Sequence, residues 1–137
     1  MTRNLEMNEI IRYNPPQGKI TLADALKLLQ SELPEFWVAS IYKEDNLSYM
    51  LFEEFGDWVG RSIQVRTPES YKTVGKSFEL VNKLLECGDD EVVNHVQVSF
   101  LEAANEHLDD SVEINKILHP DGVRYLERWR KFLRRGT

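Results

Sequence analysis

The sequence predicts a mainly α fold: a single compact domain of six or seven short helices packed as antiparallel neighbours. Apolar residues recur at helical spacing along most of the chain. Segment after segment opens with a capping residue or an N-terminal proline. The connections are short, and helices so joined pack beside one another. No strict repeat occurs, although helix pairs of this kind also permit solenoid-like stacking. With 137 residues, 42% of them hydrophobic, the chain has the size of one domain and the material for one core.

Residues 1–19 read as a lead-in and 20–135 as the helical domain. Tyr13-Asn14-Pro15-Pro16-Gln17-Gly18 cannot continue a helix. The first helix starts at Thr21, where Thr21 and Asp24 form a capping-box-like pair and Ile20 is placed to staple onto Ala25. Leu22, Ala25, Leu26, Leu29 and Leu33 make its apolar stripe, and Pro34 ends or kinks it. Residues 36–52 admit two readings. Phe36 to Tyr42 is rich in aromatic and β-branched residues, so a small hairpin through Lys43-Glu44-Asp45-Asn46 is one. Helix is the favoured one, because Leu47, Leu51, Phe55, Trp58 and Ser62 follow near a 3.6 spacing.

Thr67-Pro68-Glu69 supplies a cap, a first-turn proline and an acid on the helix dipole. Tyr71, Val74, Phe78, Val81 and Leu85 mark the buried face of that helix, and Gly88 is expected to end it as a left-handed cap. Asp89 caps the next helix, which buries Val92, Val93, Val96, Phe100, Ala104 and Leu108. Asp110 and Glu113 suggest a capping box for a short helix through Leu118. Pro120 opens the last helix, with Val123, Leu126, Trp129, Arg130 and Leu133 on one side.

Several chemistries are excluded by residue type and spacing. There is no Walker, Rossmann or nucleophile-elbow pattern, and no cofactor is expected. Gly56 and Gly60, four apart in a helix, read as sites of close helix–helix approach. His95, His107 and His119 are spaced by twelve, which leaves successive ones about 120° apart on a regular helix. They would not converge on a metal, and they read as surface or helix-end residues. Cys87 lies at a helix C-terminus beside Glu86, Asp89 and Asp90, surroundings that raise a thiol pKa and suit a structural cysteine. As the single cysteine it cannot form an internal disulfide. With no apolar run near the roughly 18 residues of a membrane span, and no signal-like N-terminus, the expected address is cytoplasmic.

Charge is the informative property. The net charge is −6, which disfavours direct nucleic-acid binding. Arg124, Arg128, Arg130, Lys131, Arg134 and Arg135 crowd the last helix with only Glu127 among them. Between Lys83 and Lys116 there is no Lys or Arg, while nine acids fall there. Asp89, Asp90, Asp110 and Glu113 have capping duties in this arc. Glu102, Glu106 and Asp109 have no structural task that the sequence shows, and they form the first candidate partner-binding patch. Glu53, Glu54 and Asp57 form the second, in a stretch that carries Phe36, Trp37, Tyr42, Tyr49, Phe52, Phe55 and Trp58. The aromatics read as a core helix or as an interface patch. The basic last helix reads as a packed helix paired with its own acidic neighbours, or as an amphipathic binding helix.

The segments YKEDNLSYMLFEEFGDWV, GDDEVVNHVQVSFLEAANEHL and ILHPDGVRYLERW resemble an uncharacterised family of small bacterial helical proteins, over residues 21 to 133. Small acidic proteins of this kind often serve as immunity proteins against toxins of competing cells. That resemblance implies a role and transfers no residue function.

The sequence therefore leads to a non-enzymatic binding protein, most concretely an immunity protein that occludes a toxin through an acidic, aromatic-flanked surface. Its partner would be a protein with a basic surface, and the chain itself a monomer or homodimer with no membrane contact. The alternatives are a phage-type or regulatory inhibitor that mimics nucleic acid, a helical adaptor or homodimer, and an enzyme with dispersed carboxylates.

Overall fold

A computed structural model of the chain describes residues 19–43, 46–109 and 112–135. The readings placed on the lead-in before Lys19 and on Asp110 lie outside these residues. Among the described residues the fold is helical, with no strand and a single isolated bridge between Ile20 and Gly88.

Helix α1 spans Leu22–Glu32, and the Thr21 hydroxyl accepts from the Asp24 amide at 3.2 Å, as its capping pattern predicts. Ile20 and Ala25 are both fully buried beside it. Pro34 opens a short second helix, α2, Pro34–Ala39. The long third helix, α3, runs from Ser48 to Val65. Residues 36–39 and 48–52 are thus helical, and the hairpin alternative is not realised. Arg66, in the left-handed conformation (φ 61°), ends α3.

Helix α4 covers Pro68–Cys87. Its capping box is between Thr67 and Ser70, each side chain bonded to the other's backbone amide at 3.1 and 2.9 Å. Tyr71, expected on the buried face, is exposed. Gly88 is not a left-handed cap, for its φ is −71° and ψ 151°. It is glycine because a Cβ here would overlap the Leu84 carbonyl oxygen and the Val92 side chain, standing 2.6 Å from Val92 Cγ1. Ile20 donates to the Cys87 carbonyl and accepts from the Asp89 amide.

The stretches Asp90–Asn94, His95–Leu101 and Glu102–Asn105 run on as one helix, α5, whose middle is π-helical. Asp89 caps it through the Val92 amide at 2.9 Å. The segment expected as a helix through Leu118 is only a 3-10 turn, Ile114–Lys116, and Glu113 gives it no side-chain cap. The last helix, α6, spans Pro120–Arg135.

Helix α3 packs on both α4 and α5, and α1 on both α2 and α4. A single core results, with Phe36, Phe52, Phe55 and Phe100 fully buried at its centre. Solenoid repeats would instead meet only their neighbours. Because α4 runs back between them, α3 and α5 point the same way. Ser48 meets His95, Gly56 meets Ala103 and Gly60 meets His107, all at one offset of 47 residues.

The glycines explain how closely these helices approach. A Cβ on Gly56 would fall under 3.0 Å from the Phe100 carbonyl oxygen, and one on Gly60 would meet the His107 ring. Gly75 differs: it stands in α4 with nothing within 4 Å of where its Cβ would be. A helix-interior glycine costs about 0.5–1 kcal/mol relative to alanine. Gly75→Ala should therefore raise the unfolding free energy by about that amount, measured by urea denaturation. A decrease would mean that the site is not open.

Candidate functional site

The parallel register of α3 and α5 brings the two predicted acidic patches together. Glu53 on α3 faces Glu102 on α5 and Glu106 just beyond it across a groove of about 180 Å³. Val98, Ser99 and Ala103 also line this groove, and Trp129 and Leu133 of α6 close its other side. Glu53 and Glu106 are exposed to solvent. Trp129 stacks on Phe132 with ring centroids 5.5 Å apart, and Phe132 is 63% exposed. The result is an acidic wall opposite an aromatic one, 53 residues apart in sequence at its acidic extremes and joined only by the fold.

Glu102 has a structural task that the sequence did not reveal. It accepts a hydrogen bond from the Tyr125 hydroxyl, tying α6 to α5. Burial raises the Tyr125 phenol well above its ordinary pKa, and the Glu102 hydrogen bond and charge push the same way. Tyr125 thus stays a donor. Arg130 adds a second tie, its Nε donating to Asn105 Oδ1 at 2.7 Å.

Three of the predicted acids do not join the groove. Glu54 takes the Ser40 hydroxyl and the Ile41 amide, which holds the chain leaving α2 against α3. Asp57 binds His107 Nε2 and Arg61, both at 2.7 Å. Asp109 lies in a larger cleft of about 510 Å³ on another side of α6, with Arg130 and Arg134. Trp129, Leu133 and Tyr125 are the site residues that the acid count missed. The signal for them was the apolar side of the basic last helix, whose Trp129 and Leu133 are spaced by four.

The histidines are engaged by neighbours within the fold. His95 is buried, contrary to the surface or helix-end reading. Its Nδ1 lies 2.8 Å from the Glu91 carbonyl, which can only accept, so Nδ1 carries a proton, and Nε2 lies 2.8 Å from the Ser48 hydroxyl. Tyr49 stacks on the same ring at 3.7 Å. His107 faces α3 as well, because the π-helical stretch turns less per residue than the regular helix assumed for the 120° estimate. Among the described residues no three His, Cys, Asp or Glu side chains are gathered to hold a metal ion. Burial and the neighbouring Glu86 charge push the Cys87 thiol up, with Lys83 opposing, which suits a structural cysteine.

A family model for a domain of unknown function, DUF7674, matches residues 21–134. No curated protein and no solved structure matches the chain.

Proposed function

This chain belongs to the DUF7674 family, a domain of unknown function, and we propose that it is a non-enzymatic inhibitor that neutralises a partner protein with a basic surface. The concrete form is a bacterial, cytoplasmic immunity protein that covers the working surface of a toxin. One observation carries the reading: Glu53, Glu102 and Glu106, from two separate stretches of sequence, face Trp129 across one groove.

The groove has the chemistry to receive an arginine or lysine side chain. The aliphatic stem packs on Val98 and Leu133, the cation meets the carboxylates, and the Trp129 ring offers its π face. Basic residues that a toxin uses to hold substrate phosphate are natural targets for such a surface. Exposed Glu53 and Glu106 steer the approach, while Glu102, held by Tyr125, sits ready without reorganisation. A nucleic-acid mimic calls for charges set out along a line. Here the acids converge, and Glu54 and Asp57 are engaged within the protein, so the groove favours a protein partner.

The test begins with capture of the partner from the native organism, followed by kinetics. Glu53→Gln with Glu106→Gln should slow association about tenfold at low salt and flatten its salt dependence. Wild-type association that ignores salt would sink the proposal. So would a double variant that binds normally.

A further inference from the structure

A second concave site lies away from the acidic groove. Ile63 from α3, Val74 and Phe78 from α4, and Val112 and Ile117 from the segment between α5 and α6 surround a cavity of about 530 Å³. Arg66 and Tyr71 also line it. Ligand sites fall at roughly 300–1,000 Å³ with mostly apolar walls and a few polar groups, and this cavity has both properties.

The wall is built rather than incidental. Asn82 donates from Nδ2 to the Ile117 carbonyl at 2.9 Å and accepts the His119 amide on Oδ1 at 2.8 Å, pinning the loop to α4. Arg66 is held at the cavity by its left-handed backbone, a conformation that arginine adopts only at a cost. Gly75 also lines the cavity. Gly56 and Gly60 are accounted for by α5 and His107, whereas Gly75 meets nothing inside the protein. Its missing side chain leaves the cavity open at the expense of helix stability. Tyr71 and Ile117 keep 54% and 40% of their surface exposed here.

We propose that this cavity binds a small acidic amphiphile, its apolar body against Ile63, Val74 and Phe78 and its carboxylate at Arg66. Charge supports the acidic head. From residue 66 to residue 82 the cations Arg66, Lys72 and Lys76 outnumber Glu69 and Glu79, in a chain of net charge −6. Glu79, which also lines the cavity, disfavours the head at its own position and leaves Arg66 as the anchor.

The probe is decanoate below its micellar range, followed by titration calorimetry, with decanol as the uncharged control. Wild type should bind decanoate with submillimolar Kd. Gly75→Leu places a side chain in open space, so the melting temperature should hold or rise while decanoate affinity falls at least tenfold. Arg66→Asn, which tolerates the left-handed backbone, should weaken decanoate severalfold and leave decanol unchanged. No binding of either probe by wild type overturns the site, and so does a folded Gly75→Leu variant that binds normally. Equal loss of both probes in Arg66→Asn, or no loss of decanoate, overturns the carboxylate contact.

Discussion

Phe100→Ala will lower the unfolding free energy by about 3–5 kcal/mol, a large share of the roughly 5–15 kcal/mol that holds a domain folded. The Phe100 ring is fully buried. It packs on Phe55 of α3 with centroids 4.8 Å apart, and edge-on to Phe78 of α4 at 6.1 Å. Truncation removes the body shared by three helices. The hole cannot close easily, because its rim is two large rings anchored on separate helices. Urea unfolding followed by circular dichroism should show a lower midpoint with an unchanged slope. A loss below about 1.5 kcal/mol would mean that the core relaxes around the gap.

Gly56→Ala should cost about 1–3 kcal/mol or more, although alanine is the better helix former. The atoms a Cβ would meet are the Phe100 carbonyl and Ala103 Cβ, not the flexible end of a long side chain. Relief requires α5 to move off α3, which also draws Glu102 away from Glu53. The same chemical change at Gly75 is expected to stabilise. Opposite signs for one substitution in two neighbouring helices, measured by the same denaturation assay, separate close approach from propensity. Stabilisation by Gly56→Ala would refute the tight α3–α5 contact.

Helix starts were readable because capping is local. Thr21 and Asp89 each act within three residues, Thr67 pairs with Ser70 at the same distance, and Pro120 begins α6 as its ring requires. Gly56 and Gly60 were readable as approach points for the same reason: a glycine inside a helix has a cost that must be met somewhere. Long-range pairing was not readable. Glu54 and Asp57 look solvated in sequence, since Ser40 and His107, which engage them, lie 14 and 50 residues away. Gly88 was read as a left-handed cap, but its backbone is extended where the flanking Cys87 and Asp89 bond to Ile20, brought in from the start of the domain. Of the candidate site, the acids were visible and their gathering was not, because it depends on which way α3 and α5 run.

The π-helical stretch of α5 has a consequence for how the domain tolerates changes in length. A π turn accommodates one residue more than an α turn, so His95–Leu101 works as a phase corrector between two reading frames of the same helix. At its start His95 is set against Ser48, and downstream of it His107 is set against Asp57. A one-residue deletion there would be absorbed, since the stretch would close into a regular helix still in phase, whereas a regular α-helix of the present length would rotate everything after it by about 100°. Glu102 and Glu106 would then swing off the groove while remaining in a perfectly good helix. The irregular turn is the vernier that aligns one end of the acidic wall with the other.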